Sequence, residues 1–375
     1  MTFLAASHVV TPMGVLSPGL VEMADGRIAS VVPTTGPVPD RILAPGFVDL
    51  QVNGVDDVDV AAARTPADWD RLDELLAAQG TTTWLPTLVT APLEAYADRI
   101  DRIAAAADRP GPRPRIAGAH LEGPFLGGAH GAHPSALVRP PDVEWLAALP
   151  RTVRLVTLGA EVDGAIAAIG ALAGRRTVVA VGHSSATLAQ ATEAVDAGAR
   201  LVTHGFNAMA PLHHREPGLV GAFLTDDRVT VSLIADGVHV HPTALDVAFR
   251  CKPDGRVVLV TDAVAWRAGR VDSIGLAVRD AGEPASGAGG RAPRLPDGTL
   301  AGSSLTMDAA VGFVVQRVGV SLERAVRAAS TTPAALLGLT DRGALAAGRH
   351  ADVVALDPTS LRCTATWVAG EQIHG

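Results

Sequence analysis

Residues 116–122, IAGAHLE, form an apolar run that closes on a carboxylate, Glu122. Three further runs close in the same way: TVVAVGH (177–183) on His183, LVTH (201–204) on His204, and VVLVTD (257–262) on Asp262. Each has the length and β-branched content of a buried parallel strand. In a (β/α)₈ barrel the C-terminal strand ends open onto one face, where the reaction site is built. Two imidazoles and a carboxylate converging there make an open-sided site for a divalent metal, with Asp262 free to move protons. The pattern points to metal-assisted hydrolysis.

Working outward, strand-like segments alternate with helix-like ones. The strands are FVDLQV, TTTWLPT, RIAGAHLE, VRLVTLG, TVVAVGH, RLVTH, VTVSLIADG and RVVLVTD. Between the first two, Thr65 is placed to cap a helix, with Pro66 at its first position and Gly80 past its end. A second helix, in SATLAQATEAVDAG, is read as capped by Ser185 and stopped by Gly198. Such alternation implies a parallel sheet with right-handed crossovers, and eight strands imply closure into a TIM barrel. The two termini differ in texture, being short strands broken by Gly and Pro. Neither is long enough to bury a core alone. Residues 1–44 and 345–375 are therefore expected to pair into a small β-sandwich, with the barrel spanning 45–344. Residues from about Val264 to Gly302 fit no βα unit. The Gly-rich run GEPASGAGGRAP within them is either a cover for the site or a surface insertion without a role.

Composition excludes several classes. The chain of 375 residues has 31 Lys+Arg against 39 Asp+Glu, a net charge of −8, so it presents no basic field for nucleic acid or an anionic membrane. Lys252 is the single lysine and precedes its strand, which argues against a Schiff-base or carboxylated-lysine site. Cys251 and Cys363 form no CxxC pair and are expected to be buried or half-buried thiols in a reducing compartment. The N-terminal stretch lacks a basic region and is interrupted by His8 and Pro12, so it reads as a strand and turn, not a signal peptide. No run approaches the apolar length of a membrane span. A cytoplasmic location is expected.

A single strand-end carboxylate would ordinarily be an ion pair on the barrel rim, and a single histidine a hydrogen-bonded core residue. The set of four shifts both readings toward chemistry. The donor types suit Zn²⁺ first, with Fe²⁺, Mn²⁺ or Co²⁺ as alternatives, one ion per chain. Asp262 fits a proton-transfer acid, a fourth ligand or a capping carboxylate, and spacing alone does not separate these. Nearby polar groups suit an anionic, polyhydroxylated ligand. HGFNAM places Asn207 and the Ala208 N–H beyond His204, PLHHREPG carries Arg215, and IADGVHVHP puts His239 and His241 after Asp236. Without a Walker-type loop, this His/Arg cluster fits a phosphate monoester better than a nucleotide. Asp236 reads equally as a rim ion-pair partner, and His213, His214 and His241 as solvated neighbours.

The motifs PGFVDLQVNG, HLEGPF, GAHPSALVRPPD, GHSSAT, THGFNAM, REPGLVGA, IADGVHV, LVTDA and DGTLAGSSLTM, in that order, resemble the N-acetylglucosamine-6-phosphate deacetylase family of the amidohydrolase superfamily. The resemblance spans nearly the whole chain. It implies a TIM barrel with a two-termini β-sandwich and hydrolysis of a sugar acetamide. It implies that Glu122, His183 and His204 hold the metal and that Asp262 serves as base, then acid. His133 falls where the family polarises the amide carbonyl, although His130 lies close by. Asn207, Ala208, Arg215 and His239 fall where the sugar phosphate binds. The arginine is expected to reach a partner's site in a homodimer. Where two-metal relatives carry HxH, this chain has Gln51 and Asn53, so a second metal is expected to bind weakly or not at all. The galacto epimer of the substrate remains open at this level, as does a non-catalytic sugar-phosphate binder.

Overall fold

The computed structural model describes residues 1–280 and 291–375, so most of the Gly-rich run lies outside the described residues. The fold is a (β/α)₈ barrel with additional β-sheets built from both termini. The barrel strands are β1 (Phe47–Val52), β2 (Thr81–Val89), β3 (Ala119–Glu122), β4 (Val153–Leu158), β5 (Val178–Val181), β6 (Leu201–Val202), β7 (Thr230–Leu233) and β8 (Val257–Leu259). Each pairs in parallel with the next. The intervening helices are α1 (Pro66–Ala77), α2 (Glu94–Ala107), α3 (Val143–Ala148), α4 (Ala165–Ala173), α5 (Leu188–Ala197), α6 (Gly218–Thr225) and α7 (Pro242–Cys251), with α8 (Met307–Phe313) after β8.

Local chemistry sets the helix ends. Thr65 caps α1 in a full capping box with Asp68, as its Thr-Pro start anticipates. At α5 the reading of Ser185 as cap is corrected. Thr187 is the N-cap, boxed with Gln190, and the Ser185 N–H instead donates to Glu161 Oε1 at 2.6 Å. Both hydroxyls precede the helix, and the Gln three residues after Thr187 decides between them. Lys252 is buried, its Nζ donating to the Asp226 carbonyl at 2.7 Å. Of the two thiols expected to be at least half-buried, Cys363 is, whereas Cys251 is exposed at the end of α7.

The barrel closes between β1 and β8 through few contacts. Asp262 N–H donates to the Gln51 carbonyl at 3.0 Å, and Asn53 N–H to the Ala263 carbonyl at 2.8 Å. Beside them the fully buried Asp49 carboxylate accepts the Thr261 hydroxyl at 2.6 Å and the Gln51 and Thr261 N–H groups at 3.2 and 3.3 Å. Burial pushes the Asp49 carboxyl up to about 7. The folded state thus binds a proton more tightly than the unfolded chain. Stability from this group is full below its ordinary pKa near 4 and is lost as pH rises through about 7, a window of roughly a few kcal/mol. Asp49→Asn should therefore gain on the wild type as pH is raised across that window. Urea midpoints for both proteins, measured at several pH values, check this, and a constant difference between them would refute it.

The two larger sheets outside the barrel come from the termini. One, of three strands, orders Thr2–Ala6, Gly19–Ala24 and Arg27–Pro33. The other, of six, runs Glu371–His374, Cys363–Val368, Val353–Leu356, Ile42–Pro45, His8–Thr11 and Gly14–Leu16. Val353–Leu356 shows how they join the barrel. Val353 and Ala355 pack into the core between the two sheets, while Val354 and Leu356 pack into the barrel's outer core. Alternation along one strand thus serves two cores. We propose 1–44 plus 345–375 as this unit, with Ile42–Pro45 the strand at its border.

Candidate active site

Alternation also aims the first site residue. Leu121 packs outward among the helices, so His120 and Glu122 on the same strand face the barrel interior. His183, His204 and Asp262 lie two, two and three residues beyond β5, β6 and β8. All three adopt left-handed backbone, with φ of 48°, 32° and 49°, as does Ala208 at 49°. Such conformations are uncommon for residues with a Cβ and gather where function fixes the chain. Here they turn the chain off the strand so that the side chain looks into the mouth. The His204 N–H is secured by Ser232 Oγ at 2.8 Å.

The three groups converge tightly. Glu122 Oε1 lies 3.3 Å from His183 Nε2 and 3.0 Å from His204 Nε2, and the two nitrogens are 3.0 Å apart. His183 Nδ1 sits 3.3 Å from the Ala129 carbonyl and so carries the proton, which leaves a lone pair on Nε2. Three acceptors at this separation need a shared proton or a cation between them. Burial alone would raise Glu122, but the His183 and His204 imidazoles set against it hold it well below its ordinary value. Burial opposes a charge on His204 too, and Glu122 overcomes it, so the His204 pKa is raised. A divalent cation fits where that proton sits, and the donor set is one such ions accept.

Asp262 faces this cluster in a cavity of about 240 Å³ that also receives His133, Asn207, Ala208 and His239. Burial and then the Glu122 charge push the Asp262 carboxyl up to about 7. Gln51 Nε2 donates to both Glu122 Oε1 (2.9 Å) and Asp262 Oδ1 (3.0 Å), and Asn53 Nδ2 donates to the same Asp262 oxygen at 2.7 Å. The residues at the HxH positions therefore hold the two acids in place as amide donors. His133 lines the cavity, with burial pulling its pKa down to about 3, so the ring is neutral. His130 instead bonds the Gly127 carbonyl at 2.9 Å. A second metal-compatible triad joins Glu122, His133 and His183. We favour the triad with His204, because its three donor atoms lie within 3.3 Å of one another, whereas His133 Nε2 stands 3.9 Å from Glu122.

Asp236 accepts His239 Nδ1–H at 2.7 Å and two backbone N–H groups at 2.8 Å, which turns His239 Nε2 toward the cavity. It is thus an orienting partner for His239. Asn207 Nδ2 donates to the His204 and Gly205 carbonyls at 3.2 and 3.3 Å. Arg215 is not brought to this cavity. It is exposed on the Leu212–Glu216 loop, with Nη1 2.8 Å from His214 Nε2, and it borders a separate surface depression. His213, His214 and His241 are likewise exposed, His241 as the N-cap of α7.

Sequence reasoning missed the apolar wall. Val89, Val264, Val271, Ile274 and Leu300 line the cavity together with the acids. Val271 and Ile274 come from a hairpin, Arg270–Val271 with Ile274–Gly275, and Arg99 on α2 grips Asp272 between them with two bonds of 2.8 and 2.9 Å. Two-residue strands carry no periodicity to detect, so this part of Val264–Gly302 gave no βα signal although it shapes the mouth.

A (β/α)₈ barrel whose strand ends gather a carboxylate, two imidazoles and a second acid is the framework of a barrel hydrolase. The chain belongs to the amidohydrolase family, whose model matches residues 42–373. It is 40% identical to N-acetylgalactosamine-6-phosphate deacetylase of Escherichia coli O157:H7 over 98% of both chains. To N-acetylglucosamine-6-phosphate deacetylase of Homo sapiens it is 40% identical over 89% of this chain and 83% of that one. Among solved structures it is similar to N-acetyl-D-glucosamine-6-phosphate deacetylase of Mycobacterium smegmatis, a mutant in complex with N-acetyl-D-glucosamine-6-phosphate. There the TM-score is 0.90 and the identity 36%, covering 100% of this chain and 99% of that one. The corresponding protein of Thermotoga maritima gives a TM-score of 0.89 at 31% identity, covering 99% of both.

Proposed function

We propose that this protein hydrolyses the acetamide of N-acetyl-D-glucosamine 6-phosphate to D-glucosamine 6-phosphate and acetate, in amino-sugar catabolism or cell-wall recycling. The observation that carries this reading is the convergence of Glu122, His183 and His204 on one point of a cavity that Asp262 and His133 share. Glu122, His183 and His204 would hold one divalent ion, Zn²⁺ by donor type. When bound, such an ion acts as a Lewis acid and lowers the pKa of water beside it. Asp262 takes a proton from the attacking water as its oxygen bonds the acetyl carbon. It then delivers that proton to the amide nitrogen as the C–N bond breaks. A carboxyl near 7 can perform both transfers. His133, neutral and facing the cavity, donates to the carbonyl oxygen as charge develops there. His239, Asn207 and the Ala208 backbone bind the sugar phosphate.

Arg215 lies outside its own chain's cavity, and among the described residues no carboxylate pairs with it. We assign it to the phosphate in a partner's site, in a homodimer. Arg215→Ala should then raise KM about tenfold or more with a smaller change in kcat, the pattern of lost ground-state binding. Steady-state kinetics on the phosphorylated sugar checks this, and an unchanged KM removes the arginine from the site.

The galacto epimer is a second reading, favoured by the near-complete two-way coverage of the Escherichia coli relative. Acetate release from N-acetylglucosamine 6-phosphate, its galacto epimer and the unphosphorylated sugar, with and without chelator, tests both. Chelator-sensitive release that needs phosphate and prefers the gluco sugar is the expected result. Preference for the epimer would assign the galacto substrate, and no release from any of them would overturn the reaction.

A further inference from the structure

We infer that Thr90 is a positioning residue that fixes the proton of His133 on Nε2, and so makes His133 a hydrogen-bond donor to the substrate carbonyl instead of a metal ligand. This rests on the reading of His133 given above. Thr90 follows the last residue of β2 and is buried. Its backbone N–H lies 3.3 Å from His133 Nδ1, and its hydroxyl lies 2.8 Å from the same nitrogen. A backbone N–H can only donate, so Nδ1 must offer its lone pair. The neutral ring then carries its single proton on Nε2. That nitrogen is the one facing the cluster, 3.9 Å from Glu122 Oε2.

The direction of the Thr90 N–H is itself held. The Tyr96 hydroxyl donates to the Val89 carbonyl at 3.0 Å, which belongs to the same peptide plane, and accepts the Ala91 N–H at 3.2 Å. Tyr96 is fully buried, so this plane cannot turn easily. The Thr90 hydroxyl has its own fitted place. A Cβ on Gly123, the residue after Glu122, would lie 2.2 Å from Thr90 Oγ1. The end of β2 and the end of β3 are thus matched so that a hydroxyl fits between them and reaches His133. An Nε2–H in this position donates to an oxygen on which negative charge grows and has no lone pair for a cation.

The test is histidine-labelled nitrogen NMR on the zinc-loaded enzyme, with steady-state kinetics and metal content for Thr90→Val and Thr90→Ser. In the wild type, His133 should show a proton-bearing Nε2 and a bare Nδ1. Thr90→Val keeps the shape and loses the hydroxyl. The backbone N–H remains but is the longer contact, at 3.3 Å against 2.8 Å, so part of the population should move to the other tautomer and kcat should fall about fivefold to tenfold, with KM and metal content near the wild-type values. Thr90→Ser should restore both tautomer and kcat. A protonated Nδ1 in the wild type would overturn the inference without any variant. So would a Thr90→Val enzyme with unchanged tautomer and kcat, or one that loses metal. His133→Asn separates the two levels. If it retains wild-type kcat, the reading of His133 falls. If it loses kcat while Thr90→Val behaves as wild type, only the role of Thr90 falls.

Discussion

Asp262→Asn should lower kcat by about 10²–10⁴-fold, the usual contribution of a positioned acid–base group, while bound metal stays near the wild-type level. The site is well suited to this substitution. Gln51 Nε2 and Asn53 Nδ2 both donate to Asp262 Oδ1, and an asparagine oxygen in that place keeps both bonds. Only the capacity to take and return a proton is removed. The bond from Gln51 to Glu122 is untouched, so the cluster of Glu122, His183 and His204 keeps its brace. Single-turnover kinetics with metal analysis of the same preparation gives the result. Loss of metal along with activity would show instead that Asp262 serves mainly as a ligand.

His204→Ala should lose both metal and turnover, with metal affinity falling by more than the roughly 10–100-fold that loss of an outer partner costs. Removing this imidazole leaves Glu122 buried with one fewer donor opposing its charge, so the acid should also become easier to protonate. The competing triad makes the comparison decisive. Glu122 and His183 belong to both candidate triads, and His204 and His133 are alternatives. If His204 is the ligand, His133→Ala keeps its metal and loses rate. If the outcomes are reversed, with His133→Ala stripped of metal and His204→Ala still loaded, the ligand assignment is wrong. Metal content after dialysis against a weak chelator distinguishes these outcomes without any substrate.

The amide pair Gln51 and Asn53 shows how far motif reading reaches. From the sequence they register as the absence of two imidazoles. In the folded chain Gln51 bridges Asp262 and Glu122 across 140 residues of sequence separation while Asn53 adds a second donor to Asp262, and no local pattern encodes that. Thr90 went unnoticed for a related reason, since a threonine at a strand end is ordinary until a histidine 43 positions later is laid against it. Ser185 and Thr187 were indistinguishable as caps except through the side chain that answers them. The apolar wall had no signal because its strands are two residues long. Arg215 was legible as a phosphate-type side chain, but its own chain does not bring it to the cavity.

What the sequence by itself determined was the barrel and the four strand-end groups. Apolar runs of β-branched residues, alternating with capped helices, leave little choice but a parallel closed sheet, and the last residue of each run then lies on the C-terminal face. What only the tertiary structure decided was the state of each group: which nitrogen carries a proton, which acid is held charged and which is pushed toward neutrality. Those properties depend on burial and on partners within about 3 Å, contributed by segments far apart in sequence, and such contacts exist only once the barrel has closed.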